Sequence, residues 1–110
     1  MNRIVLEFDF LNGPIYKDVY DIQNNMVITG IKEIDDNETI MLLNQEMQDL
    51  YSSFYDQNKL SEEDPFNQKK IEENIKRLYQ MKIKLIEEIK STLPNIEIED
   101  RTIDFFEKYL

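Results

Sequence analysis

Cysteine, histidine and tryptophan are all absent from this 110-residue chain, and it holds only two glycines and three prolines. Without cysteine there is no disulfide framework, no thiolate metal site and no cysteine nucleophile, a composition that fits a reducing compartment. Without histidine the commonest general base and metal ligand is missing. Two glycines cannot build a Gly-rich phosphate loop, and no G-x-x-x-x-G-K string occurs. Nor does any apolar run approach the ~20 residues that span a bilayer. Glu7 and Asp9 interrupt what would have to be a signal h-region, so the expected location is the cytoplasm. Basic residues are scarce as well, with 13 Lys and Arg against 23 Asp and Glu, a net charge of −10.

What remains is enough for one domain over 1–110. Apolar residues make up 41% of the chain and twelve are aromatic, which argues against disorder despite 33% charged residues. The acidity is concentrated. Segments 1–30, 31–64, 65–93 and 94–110 carry balances of −2, −8, +3 and −3. A field of that sign repels nucleic acid and anionic lipid and attracts basic proteins. An acidic surface that serves solubility alone is the plain alternative.

The spacing predicts an α+β fold. Ile4, Leu6, Phe8 and Phe10 alternate with Arg3, Glu7 and Asp9, the period of a half-buried strand. Asn12-Gly13-Pro14 supplies a turn, and Ile15–Tyr20 reads as a second strand. Gln23-Asn24-Asn25 makes another turn, Met26–Thr29 a third strand, and Ile31 and Ile34 continue its apolar pattern. Short connections favour sequential pairing, so 1–34 is expected to form a three-stranded antiparallel β-meander. Residues 35–57 read as an acidic amphipathic helix, with Ile40, Leu43, Met47, Leu50, Tyr51 and Phe54 inward and Asp35 capping, Glu38 at its third position. After a polar connector, capped by Ser61 or Asp64, a long helix over 65–93 carries the stripe Ile71, Ile75, Leu78, Leu85 and Ile89, and Pro94 stops it. Ile96-Glu97-Ile98 suits a short edge strand. Asp100 then caps a helix over 100–110. The two long helices cover the apolar face of the meander.

Binding fits these residues better than catalysis. The clusters Asp35-Asp36-Glu38 and Glu62-Glu63-Asp64 lack the alternating ligands and central Gly of a calcium loop, and helix capping explains both. No enzyme activity, cofactor or metal is expected. A carboxylate–metal hydrolase is the weakest alternative, and it requires Mg²⁺, Mn²⁺ or Ca²⁺ to shift the melting temperature. No lysine or arginine occurs between Lys32 and Lys59, so the acidic helix forgoes the i,i+4 pairs that usually support an exposed helix. Tyr16 and Tyr20 lie beside Asp18 and Asp21, and Tyr51 and Tyr55 beside Asp49 and Asp56. Core packing is the ordinary use of such rings. Tyrosine beside acid is also what an interface uses against a basic partner, the ring as hot spot and the carboxylates to steer. The candidate surface is Tyr16, Asp18, Tyr20 and Asp21 with Glu38, Glu46, Asp49, Tyr55 and Asp56. The partner is expected to be a basic protein, not nucleic acid or membrane, and a non-catalytic adaptor subunit is the second alternative.

Three stretches resemble a known family: FDFLNGPIYKDVYD (8–21), ITGIKEIDD (28–36) and LNQEMQDLYSSFYD (43–56). They are similar to the small acidic immunity proteins encoded beside LXG-type polymorphic toxins of Gram-positive bacteria. The family pattern falls on Phe8, Asp9, Gly13, Pro14, Ile15, Tyr16, Lys17 and Asp18, then Thr29, Gly30 and Ile31, then Leu50, Tyr51, Phe54 and Tyr55. Position 16 is Tyr where the pattern has Trp, which keeps the aromatic ring. The resemblance covers about the first half of the chain. It implies a cytoplasmic antitoxin that binds and blocks the C-terminal toxic domain, often a nuclease, of its cognate secreted protein.

Overall fold

A computed structural model describes residues 3–8, 13–58 and 65–109, with side chains omitted at 54–58, 65–68 and 109. The elements in chain order are β1 (Arg3–Leu6), β2 (Val19–Asp21), β3 (Met26–Ile28), α1 (Lys32–Asp35), α2 (Glu38–Asn58), α3 (Pro65–Thr92), β4 (Glu97–Asp100) and α4 (Ile103–Tyr109). The Ser61 or Asp64 cap, the Glu62-Glu63-Asp64 cluster, and the strand and turn positions Asp9, Phe10 and Asn12 lie outside the described residues. Mixed helix and strand is as the composition and periodicity led us to expect. The sheet topology is not.

Among the described residues the expected three-stranded meander is met only in part, by the antiparallel pair β2–β3. β1 pairs in parallel with β4, Arg3 opposite Glu97 through Leu6 opposite Asp100. Its other edge is taken by the segment after Gly13: Leu6 bridges Ile15 antiparallel, the Glu7 amide donates to the Pro14 carbonyl at 2.8 Å and the Tyr16 amide to the Val5 carbonyl at 2.9 Å. Both edges of β1 are therefore occupied, and β3 has no place beside it. β2 and β3 pair only with each other, Val19 opposite Ile28 through Asp21 opposite Met26, as a separate hairpin. β4 lies at the edge, as the Ile96–Ile98 alternation suggests, and β1, flanked on both sides, is the inner strand and buries Ile4 and Leu6 almost completely.

The segment after β3 is also a correction. Ile31 and Ile34 sit at helical spacing, and Lys32–Asp35 forms the short helix α1 with Ile34 fully buried. The Asp35 carboxylate folds back to accept the Thr29 amide at 3.0 Å, the Thr29 hydroxyl at 2.8 Å and the Gly30 amide at 3.1 Å. Asp35 therefore does not cap α2. Asn37 does, its Oδ1 accepting the Ile40 amide at 3.0 Å, while its Nδ2 donates to Thr92 at 3.2 Å and ties the start of α2 to the end of α3. Gly30 has φ +84° and its missing Cβ would lie 2.9 Å from Val19 Cγ2, so only glycine turns the chain here.

The two long helices match the sequence reading closely. The 28 residues of α3 rise about 42 Å, close to the 46 Å long axis of the molecule. Ile40, Leu43 and Met47 of α2 and Ile75, Leu78, Leu85 and Ile89 of α3 form one core with Ile4, Leu6 and Ile15 of the sheet. Phe8 stacks on Tyr51 at 4.9 Å and meets Phe105 and Phe106 edge-on, closing the core near α4. The helices cover one face of the β4–β1 sheet. On the other, Arg3 and Glu7 are exposed and Val5 and Glu99 half-buried. No helix among the described residues is long and apolar enough to cross a membrane.

Candidate interaction surfaces

The outer face of α2 is the first. Glu38, Glu46 and Asp49 are exposed, and Leu42 stands among them 62% exposed. Leu42 follows Glu38 by four residues and precedes Glu46 and Asp49 by four and seven, so the helical period places all four on one face. No lysine or arginine lies within the helix. Glu46 and Asp49 also border a depression of about 370 Å³ shared with Leu50, Ser53 and, from α3, Arg77 and Met81. Leu42 was absent from the candidate residues. Its signal was there: it falls outside the inward i,i+3/i+4 stripe, so an apolar residue had to face water. Tyr55 and Asp56 continue α2, with side chains outside those described.

The second surface is built by the Gly13–Ile15 strap and the hairpin. Asn44 of α2 is buried and its Oδ1 accepts the Ile15 amide at 2.9 Å. Gly13 lies directly over this side chain, and a Cβ there would fall inside it. The strap thus needs glycine to let Asn44 through, and it presents Tyr16, 56% exposed, to solvent. Beyond it the hairpin exposes Asp18, Val19, Tyr20, Met26 and Val27, with Ile22 at its tip 83% exposed. A pair of three-residue strands is marginal alone, and its two ends are pinned. At the tip the Asp21 carboxylate accepts the Gln23 and Asn24 amides and the Asn24 side chain, Tyr20 donates its hydroxyl to Asn25, and Asn25 takes φ +52°. At the base stands the Thr29–Gly30–Asp35 knot. The hydrogen bond from the Asn24 side chain is the main cause holding the Asp21 carboxyl below its ordinary value near 3.8.

The seven candidate residues with described side chains therefore fall into two groups. Gln48 borders a cleft with Tyr16, Lys17 and Val27, so the hairpin stands on that side of α2. Glu46 and Asp49 lie on the side toward α3. Asp21 serves its own turn.

One charged site escaped the sequence reading. Lys82 of α3 is buried, its Nζ 2.8 Å from Asp100 Oδ2 and within 5.2 Å of the ring centres of Tyr79 and Phe106. Lys82 lies four residues after Leu78 and three before Leu85, on the core stripe, which was the available signal. Asp100 occupies the inward position of β4 opposite Leu6, and it also accepts the Thr102 amide and hydroxyl at the start of α4. The cap position thus lies two residues further on than expected: α4 begins after Thr102, whose carbonyl accepts the Phe106 amide. Burial alone would raise the Asp100 pKa; the hydrogen bonds from Lys82 and Thr102 outweigh it and hold it below the ordinary value near 3.8. Among the described residues no group of three His, Cys, Asp or Glu side chains is placed to hold a metal ion. Comparison with family models, curated proteins and solved structures brings no match.

Proposed function

We propose that this protein is a non-catalytic immunity protein of the cytoplasm that binds and neutralises a basic toxin domain, often a nuclease, of a polymorphic toxin. One observation carries the reading: on α2 the exposed Leu42 stands among Glu38, Glu46 and Asp49, on a helix without a single basic residue. An apolar anchor in a field of one sign is how charge-steered interfaces are built, the anchor slowing dissociation and the charges speeding encounter. Tyr16, Asp18 and Tyr20 on the strap and hairpin, on the other side of α2, form a second group of rings and acid, and the sequence resemblance supplies the partner class.

The test asks whether the adjacent upstream reading frame ends in a basic domain and measures binding kinetics against that domain. Replacing Asp49 and Asp56 by Lys should slow association about tenfold at low salt and flatten its salt dependence. Leu42→Ala should leave association intact and speed dissociation about tenfold. An on-rate untouched by the charge reversals would refute the steering role. The adaptor reading draws on the apolar hairpin, with Val19, Ile22, Met26 and Val27 exposed. It requires affinity that is indifferent to salt and lost on Ile22→Lys.

A further inference from the structure

Two clefts meet at the same pair of side chains. A cleft of about 360 Å³ between the strap, the hairpin and α2 is lined by Glu7, Gly13, Ile15, Tyr16, Lys17, Val27 and Gln48. A second, about 560 Å³, runs over the outer face of β1 past Arg3, Val5, Asp18, Thr29 and Arg101, and it too is bordered by Glu7 and Tyr16. The ladder explains the pairing. With Leu6 opposite Ile15, Tyr16 lies opposite Val5 and Glu7 opposite Pro14, so Glu7 and Tyr16 are diagonal neighbours within reach of a shared guest.

We infer that this junction receives a long cationic side chain, arginine above all, from the partner protein. Its guanidinium would sit on the Glu7 carboxylate and the Tyr16 ring, and its methylene stem against the exposed Val27. The inference rests on the partner being a basic protein and names the contact it makes on the strap surface. The carboxylate has capacity to spare. Its ion pair to Arg101 Nη1 is long, 3.7 Å, whereas Arg101 spends its Nε and Nη2 on Glu99, both at 2.6 Å. Arg3 also turns to Glu99, at 3.7 Å. Glu99 thus takes the short contacts of Arg101, and Glu7, with only a long contact from Arg101 to Oε2, keeps an oxygen for an incoming cation. An electron-rich ring beside a carboxylate, above an apolar wall, suits an amphipathic cation better than an anion or a purely apolar group. Lys17, also on the rim, opposes a cation, and Asp18 on the second cleft offsets it. The net charge of −10 works the same way: it opposes docking of a second copy and draws a cationic protein.

The experiment titrates isotope-labelled full-length protein with arginine blocked at both ends, and separately with blocked citrulline and blocked glutamate, following side-chain NMR signals. Arginine should shift the Glu7 carboxylate, the Tyr16 ring and the Val27 methyls together, citrulline about fivefold more weakly, and Glu7→Gln should abolish the difference between them. Equal responses to arginine and citrulline, a stronger response to glutamate, or shifts confined to α2 would overturn the assignment. The same variant separates this inference from the functional proposal. If a basic toxin domain binds and Glu7→Gln leaves its affinity unchanged while the α2 variants weaken it, the cleft assignment fails and the function stands. If no basic protein binds and the arginine-specific shifts persist, the reverse holds.

Discussion

Asn44 and Gly13 show how two residues far apart in the chain specify one another. The amide oxygen of Asn44 satisfies the Ile15 amide in a buried position, and Gly13 makes room for it. Gly13→Ala should therefore displace Asn44, orphan that amide and cost about 2 kcal/mol in urea unfolding. Asn44→Ala should cost a similar amount, and the double variant clearly less than the sum, because each change breaks the same bond. Additive losses would mean that the two do not meet. Asn12-Gly13-Pro14 reads as a turn, since glycine and proline announce one, and the described strap begins at Gly13. Its dependence on Asn44 was not, because nothing in a helix sequence marks which polar residue turns inward. Tyr16 was legible as an exposed ring beside acids. Leu42 was overlooked because attention to the inward stripe leaves no category for an apolar residue on the outside.

At the scale of elements the helices were readable and the strands were not. α2 and α3 carry five or more apolar residues each at 3.6 spacing, a signal that repeats over many turns. The strands are three or four residues long, and their partners are set by distant competition for the edges of β1. Ile31 and Ile34, read as strand, belong to a single helical turn fixed by Asp35, which two apolar residues cannot announce. The joint between elements that most repays measurement is Lys82–Asp100, linking α3, β4 and the start of α4. Asp100→Ala should cost about 3 kcal/mol by leaving Lys82 buried without its counter-charge, whereas Lys82→Met with Asp100→Leu should cost much less. The Asp100 pKa is depressed in the folded state, so its contribution is complete above the ordinary value near 3.8 and is lost as pH falls through the lower folded value. Unfolding followed between neutral pH and that acid range should show Asp100→Asn with a flatter pH dependence than the parent chain. Identical slopes would remove the pair from the acid response.

For the whole molecule the governing quantity is charge. With −10 overall, and −8 of it within 31–64, the folded state carries substantial self-repulsion. Moderate salt should raise the melting temperature by several degrees at low ionic strength, levelling off as the Debye length falls to about 10 Å near 0.1 M. A melting point indifferent to salt would show that the carboxylates are too dispersed to repel. The sign of the surface was readable from composition alone, but its division into a helical face and a strap face depends on which side of α2 the hairpin takes.

The parallel ladder between β1 and β4 joins Arg3 to Glu97, ninety-four positions apart. During synthesis, therefore, β1 can close early only with the strap on one edge, and its parallel neighbour on the other edge arrives last. A nascent chain should acquire α2 and α3 early and complete its sheet only once translation has passed β4, and such late, long-range closure is slow. The antitoxin we propose would then need a standing reserve of finished molecules before a toxin appears.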